Sequence, residues 1–229
     1  MIVLKWFGHA AFLIKLKNIN KSILIDPWIT NPLSPIGLEK LEAPDYIIVT
    51  HDHGDHLGDA VEIMNKFRKT IFVSLYEIAE YVGEQIRDRN RVIGANIGGP
   101  VKLSKDLDVI FTPAIHSSIR SSPAGVVIRS AESTIYHAGD TGVFYDMALI
   151  RELYQPKIAL LPIGGHFTMG VDEAVKAVEL LRPNYVIPMH YNTFPVISAD
   201  PEIFRKKVSE KFPDTKVIIM KPGDELELS

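Results

Sequence analysis

The segment THDHGDHLG, at positions 50–58, constrains this chain more than any other part of its sequence. It places three histidines and two aspartates within six positions, directly after an apolar strand pattern. In an extended segment the side chains of His51 and His53 point to the same side, while Asp55 and His56 turn toward a neighbouring position. Since imidazoles and carboxylates are metal ligands, the segment predicts two adjacent metal positions.

Three later strand patterns end in a histidine or an aspartate. VIFTPAIH ends at His116, TIYHAGD at Asp140 and YVIPMH at His190. Ligands at strand ends are held by rigid elements and converge where several strands emerge at one edge. One strand-end histidine is more often structural, but three of these residues together with the segment at 50–58 favour metal ligation. We therefore predict seven ligands: His51, His53, Asp55, His56, His116, Asp140 and His190.

The composition restricts the chemistry of such a site. The chain has no cysteine, which excludes thiolate ligands, thiolate nucleophiles and disulfides. Metal ions must therefore bind to His, Asp or Glu, a donor set that suits zinc and also Mn, Fe, Co or Ni. The formal charge of −3, from 25 basic and 28 acidic residues without long runs of one sign, predicts neither a nucleic-acid partner nor an anionic membrane partner.

Hydrophobic patterning predicts one α/β domain over residues 1–229. Strands at 2–7, 11–16 and 22–26 form an antiparallel meander, and a proline-rich loop follows at 27–44. Both halves run from strands to strand and helix alternation, which fits two sheets packed face to face with helices outside. The further predicted strands are 46–49, 107–112, 125–129, 133–136, 158–161, 185–187 and 216–219, and the predicted helices are 59–68, 75–89, 144–154, 171–181 and 201–212.

The chain shows no targeting or membrane signal. Its N-terminal apolar run is interrupted by His9 and Lys15, and no stretch approaches the ~20 apolar residues that span a bilayer. We expect a cytoplasmic protein that acts on a small molecule, without a membrane partner. Assembly into a homo-oligomer stays open.

The order H-x-H-x-D-H, a separate His, Asp in AGDT and a final His is similar to the signature of the metallo-β-lactamase superfamily. The resemblance implies an αββα sandwich of two packed mixed sheets with helices outside. It also implies a binuclear metal centre, with zinc as the favoured metal. His51, His53 and His116 would bind the first metal, Asp55, His56 and His190 the second, and Asp140 would bridge both.

The segments FGHAAFLI, ILIDPW, HAGDTG, LLPIGGHFTMG and VIPMHYNTFP resemble a compact branch of that superfamily, formed by metal-dependent hydrolases of unassigned substrate. This branch is related to ascorbate 6-phosphate lactonases and, more distantly, to the phospholipase D that cleaves N-acyl phosphatidylethanolamine. The implied reaction is attack of a metal-bridging hydroxide on an ester, lactone or phosphodiester, with Asp55, Asp140 and His190 in catalytic roles. His53, where related di-iron enzymes carry Glu, favours hydrolysis over redox chemistry.

Further polar residues accompany the ligands. Asp26, after SILI, matches an aspartate that orients the His-rich loop in the family, against the alternative of a turn former before proline. His9 is either a structural residue or lies near the metals, and His166 is expected to contact the substrate or a ligand. His137 is interpreted as structural. Arg120 and Lys221 are candidates for phosphate binding, but the favoured interpretation of each is a solvated charge.

Two other functions remain open. The first is RNA processing in the manner of the tRNA 3′-end endonucleases, which share H-x-H-x-D-H, although the chain lacks a basic surface pattern. The second is a non-catalytic metal-binding protein with the same fold.

Overall fold

The computed structural model describes residues 1–228, and its internal contacts form two compact units. The first unit consists of Met1–Gly99, Ser117–Pro123 and residues 221–228. The second unit consists of Pro100–His116 and Ala124–Met220. Each unit contains one seven-stranded sheet.

The first sheet has the strand order β14-β1-β2-β3-β4-β5-β6. Strands β1 to β3 pair antiparallel, as the sequence predicts, because short turns connect them, whereas β3, β4, β5 and β6 pair parallel. The proline-rich loop connects β3 to β4, whereas α1 and α2 connect β4 to β5 and α3 connects β5 to β6. Helix α3 packs against β5 and β6. The bounds are β1 Ile2–Trp6, β2 Phe12–Leu16, β3 Lys21–Ile25, β4 Tyr46–Ile48, α1 Gly54–Leu57, α2 Ala60–Lys66, β5 Ile71–Leu75, α3 Tyr76–Gln85, β6 Val92–Ala95 and β14 Glu225–Leu228.

The second sheet has the order β13-β12-β11-β10-β9-β8-β7. Strands β7 to β10 pair antiparallel, and β10 to β13 pair parallel. Helix α5 packs against both α4 and α6, and it also contacts β11. The bounds are β7 Val101–Ser104, β8 Leu107–Pro113, β9 Ala124–Ser130, β10 Thr134–His137, α4 Met147–Tyr154, β11 Ile158–Pro162, α5 Val171–Leu181, β12 Tyr185–Met189, α6 Pro201–Lys211 and β13 Lys216–Val217.

Several boundaries differ from the sequence prediction. The helix predicted at 75–89 ends at Gln85, because Arg87 adopts a left-handed conformation and the Asp88 carboxylate accepts a hydrogen bond from the Asn90 N–H in a new 3-10 turn. The proline-rich loop contains a 3-10 turn at Leu38–Lys40. Strands β5, β6, β7 and β14 were not predicted, and neither was α1. Among residues 1–228, no helix has both the length and the apolar character that a membrane crossing requires.

Candidate metal centre

The first cluster of predicted ligands begins where β3 and β4 end. These strands are parallel and Ile25 pairs with Ile48, so the residues that follow them emerge at the same edge. Asp26 is fully buried there, and its carboxylate accepts hydrogen bonds from the Thr50 N–H at 2.8 Å and from the Thr50 hydroxyl at 2.8 Å. These bonds fix the start of the His-rich segment.

The Thr50 hydroxyl also determines which nitrogen of His51 carries the proton. That hydroxyl has one hydrogen, which it donates to Asp26, and its oxygen lies 3.1 Å from His51 Nδ1. His51 Nδ1–H must therefore donate to Thr50, which leaves the lone pair of His51 on Nε2. This Nε2 lies 3.1 Å from Nδ1 of His53. Two imidazole nitrogens thus meet at one point.

The second half of the His-rich segment is a single helical turn, α1, where the sequence analysis expected a loop. His53 is its N-cap, and the helix carries Asp55 and His56. Nδ1 of His56 lies 2.7 Å from Asp26 Oδ2, and both side chains are fully buried. A carboxylate on Nδ1 orients the ring and makes Nε2 the nitrogen that faces a metal, as is usual for metal-binding histidines. Asp26 therefore contacts Thr50 and His56 together.

His9 belongs to this cluster as well. It lies in the turn between β1 and β2 and is fully buried, and its Nε2 is 3.1 Å from Asp55 Oδ2. Ligand atoms of His9, Asp55 and His56 all lie within 4.8 Å of one another. The Trp6 indole donates to the backbone carbonyl of His9 at 3.1 Å, which holds the turn in place. The first unit thus brings together His9, Asp26, His51, His53, Asp55 and His56.

The second unit brings its three predicted ligands together around one atom. Oδ2 of Asp140 lies 3.1 Å from Nε2 of His190 and 3.5 Å from Nε2 of His116. The three residues follow β8, β10 and β12. Strand β9 is antiparallel to both β8 and β10, and β10, β11 and β12 are parallel, so β8, β10 and β12 run in the same direction. Their carboxyl ends therefore face the same edge of the sheet. Asp140 and His190 are buried, and His116 is partly exposed.

Hydrogen bonds between side chains and backbone groups hold the loops of the second cluster. The Thr141 hydroxyl accepts from the Ile115 N–H at 2.9 Å and donates to the Gly142 carbonyl at 2.6 Å. His137 Nδ1 accepts from the Gly139 N–H at 3.1 Å, so this buried ring supports the turn that leads into Asp140. A Cβ on Gly164 would lie 2.3 Å from the His190 carbonyl oxygen, which shows how closely two of these loops pack.

Two other residues of the second unit lie in the loops that follow β11 and β12. His166 is exposed in the loop after β11, and its ring meets the Phe167 ring edge to face at 4.4 Å. Tyr191 follows His190, and burial raises the pKa of Tyr191 to about 12. Its hydroxyl therefore stays protonated at neutral pH and is able to donate a hydrogen bond.

Four of these residues have a strained backbone. His9, Asp26, His166 and His190 all have positive φ angles, of 52°, 45°, 58° and 54°. Residues other than glycine adopt this conformation rarely, and such strain concentrates at functional sites.

Asp52 makes contacts that its local sequence does not indicate. Its side chain is fully buried and accepts hydrogen bonds from Ser118, Ile119 and Arg120. Burial raises the pKa of Asp52, but the bonds from Ser118 and Arg120 outweigh that effect and hold the pKa below its usual range. Arg120 is thus held in an ion pair and is not the simple solvated charge that its sequence position allowed. Ser118 lies 66 positions after Asp52, so the local sequence around Asp52 does not indicate this contact.

The donor atoms of both clusters fit divalent metal ions. In the first, imidazole nitrogens converge next to the carboxylate of Asp55, and in the second, two imidazole nitrogens converge on one carboxylate oxygen. Neutral imidazole and carboxylate are the ligands that zinc and its neighbours in the first transition series accept. Placing a cation among such groups offsets the repulsion of the buried lone pairs.

Comparisons with known proteins agree with this chemistry. Residues 21–191 match the family described as the Beta-lactamase superfamily domain. A protein from Caldivirga maquilingensis, described as a UPF0173 metal-dependent hydrolase, is 56% identical over 98% of this chain and 97% of its own length. A protein of the same description from Hyperthermus butylicus is 56% identical over 96% of each chain. Igni18, a metallo hydrolase from Ignicoccus hospitalis with a solved structure, has 46% sequence identity to this chain. The two structures align over 100% of this chain and 99% of Igni18, with a TM-score of 0.91.

Proposed function

Because this chain belongs to the β-lactamase superfamily and is a metal-dependent hydrolase, we propose that it binds two divalent metal ions and cleaves an ester, lactone or phosphodiester bond. The fold class predicted from the sequence, the metallo-β-lactamase-like fold, is confirmed by the same comparisons. The proposed first site consists of His51, His53 and His116, and the proposed second site of Asp55, His56 and His190, with Asp140 shared by both.

One observation carries this proposal. Asp140 presents a single carboxylate oxygen to two imidazole nitrogens from different strand ends, at 3.1 and 3.5 Å. A buried carboxylate with imidazoles on two sides either accepts protons from charged imidazoles or shares a cation with neutral ones. The hydrogen bonds in the first unit support the second alternative, because they occupy Nδ1 of His51 and of His56 and leave Nε2 of each ring as the nitrogen for a metal.

Divalent metal ions at these positions would act as Lewis acids and lower the pKa of a water molecule to about 7. We propose zinc, since imidazole-rich sites with carboxylates suit it. The residues of the chain position the donors: Asp26 orients His56 and, through Thr50, His51. Tyr191, protonated at neutral pH, and the exposed His166 are proposed to contact the substrate.

The surface of the second unit favours a substrate with an apolar part. Each of the four loops that follow β8, β10, β11 and β12 carries a large exposed apolar side chain, and three of these loops also carry a proposed ligand. These side chains are Ile115, Tyr145, Phe167 and Val196. Because these loops follow strands whose carboxyl ends face one edge of the sheet, we infer that the four side chains border the binding surface. We therefore propose that esters and lactones with apolar acyl or aryl groups are better substrates than charged phosphodiesters.

A hydrolysis panel with defined metal content tests this function. Purified protein is stripped with a chelator, reloaded with Zn²⁺ or Mn²⁺, and assayed with p-nitrophenyl acetate, p-nitrophenyl octanoate, an alkyl lactone and bis-p-nitrophenyl phosphate. We expect close to two metal ions per chain and activity that disappears on chelation. Cleavage only of an RNA oligonucleotide would favour the phosphodiesterase alternative. Inactivity of the fully loaded protein toward every substrate would contradict the proposed function.

A further inference from the structure

Asp52 lies between two proposed ligands but takes no part in the proposed ligand set. Since side chains alternate along extended backbone, Asp52 points away from His51 and His53. Its Oδ1 accepts hydrogen bonds from the Ser118 hydroxyl at 2.6 Å and the Ile119 N–H at 2.7 Å. Its Oδ2 accepts one from Arg120 Nη1 at 2.7 Å. A fully buried carboxylate therefore holds three successive residues of one loop.

That loop, residues 117–123, has two more attachments in the first unit, and both are to α3. The Arg120 guanidinium lies over the ring of Tyr81, 3.7 Å from its centroid. The Ser121 hydroxyl donates to the Glu77 carboxylate at 2.8 Å. The loop thus has three partners, Asp52, Tyr81 and Glu77, and only the Asp52 side chain is fully buried. Water therefore competes least with the hydrogen bonds to Asp52. The loop begins at the residue directly after His116.

We propose that Asp52 is a positioning residue, which fixes the chain that leaves His116 and thereby completes the first metal site. This inference rests on the proposed function, in which His116 joins His51 and His53. Two imidazoles of that site come from the residues on either side of Asp52, and the third precedes the loop that Asp52 holds. A single carboxylate thus connects all three ligands through short stretches of backbone.

The charge of Asp52 is central to this role. A carboxylate accepts charge-assisted hydrogen bonds from a guanidinium, which are about twice as strong as neutral ones. In Asp52→Asn the amide oxygen still accepts from Ile119, but the NH2 group faces Arg120 as a second donor. We therefore expect Asp52→Asn to loosen the loop while the rest of the first unit keeps its contacts.

Competition for Zn²⁺ tests the inference independently of activity. Wild-type and variant proteins are titrated with Zn²⁺ against a chromophoric chelator, and amide hydrogen exchange is followed in peptides that cover residues 117–123. For Asp52→Asn we expect one of two Zn²⁺ ions to bind about 10- to 100-fold more weakly, the range found when a partner of a metal ligand is removed. We expect the other ion to bind as in the wild type, and faster exchange confined to the loop.

Asp45→Asn provides the matched control. Asp45 also accepts three hydrogen bonds in the first unit, from Lys21 Nζ and from the N–H and hydroxyl of Ser22, but these partners adjoin no proposed ligand. This variant should keep both affinities for Zn²⁺. If Asp52→Asn fails to fold, Arg120→Gln removes the same ion pair at a half-exposed position and should weaken the same Zn²⁺ ion.

The outcomes separate the two proposals. Unchanged binding of two Zn²⁺ ions by folded Asp52→Asn or Arg120→Gln would overturn the positioning role and leave the proposed function intact. Equal weakening in Asp45→Asn would also overturn it, since the effect would then reflect general stability. A wild-type protein that binds no Zn²⁺ would overturn the proposed function, and this inference with it.

Discussion

The two clusters of proposed ligands are built in different ways. In the first unit, four of them lie within six successive residues, and buried side chains such as Asp26 orient them. In the second unit, the three ligands come from three separate strand ends, and strand pairing and loop backbone hold them around Asp140. Hydrogen bonds to the ligand side chains thus organise the first cluster, while strand pairing and hydrogen bonds to loop backbone groups organise the second. The two should therefore differ in which substitutions damage them.

The largest effect is expected at the shared carboxylate. Asp140→Ala removes the oxygen that faces both His116 and His190, and it should lower kcat/KM by on the order of 1,000-fold, the upper range for loss of one charge-stabilising group. Elemental analysis should show fewer than two metal ions per chain. Activity within tenfold of the wild type at full metal content would contradict the role of Asp140.

The next effect tests the side-chain network of the first unit. Asp26→Asn removes the carboxylate that holds His56 and Thr50, and Zn²⁺ affinity should fall by about 10- to 100-fold. Competition with a chelator measures the change. Asp108→Asn, which breaks an exposed ion pair with Arg129 in the second unit, is the control and should leave affinity unchanged. Equal affinities for wild type and Asp26→Asn would show that side chains do not organise this cluster.

Gly164→Ala tests the backbone packing of the second unit. The added Cβ would collide with the His190 carbonyl oxygen, so this loop must shift. We expect a loss of about 1–3 kcal/mol in the free energy of unfolding and roughly tenfold lower activity. Urea denaturation and steady-state kinetics measure the two effects. Gly99→Ala, where a Cβ meets no atom within 4 Å, is the control.

The smallest effect is expected for Thr141→Val. This change keeps the shape of the side chain but removes the hydroxyl that accepts from Ile115 and donates to Gly142. Leaving these backbone groups unsatisfied should cost about 1–2 kcal/mol in stability and only a few-fold in activity. Thermal unfolding provides the measurement. If Thr141→Val lowered Zn²⁺ affinity more than Asp26→Asn does, side-chain hydrogen bonds would matter more in the second cluster than in the first.

The sequence predicted most of the regular elements because their patterns are strong. Helix α5 was predicted at its observed bounds, since its apolar residues recur with a helical period and leave one face buried. Strands β7 and β14 were missed because both lie at sheet edges, where few residues are buried and the alternation is weak. Strand β5 was missed although it is nearly fully buried, because a short apolar run between helices does not distinguish strand from helix.

The candidate site divides in the same way. The residue types and positions of the proposed ligands follow from local sequence, because metal chemistry selects His and Asp and strand ends place them. Contacts across long sequence distances do not. The pairing of His9 with Asp55, and of Asp52 with Arg120, depends on how loops fold back, and no local pattern encodes it.

The left-handed residues of the site limit how far this protein could be made more resistant to heat. Glycine at positions 9, 26, 166 or 190 would relax the main chain by about 1 kcal/mol or more at each, yet it would delete an imidazole or carboxylate that lies in or beside the clusters of proposed ligands. Gln155 and Arg182 adopt the same conformation at the ends of α4 and α5, where a glycine is well tolerated. Stabilising substitutions to glycine are therefore feasible at those helix ends but not at the proposed reaction centre.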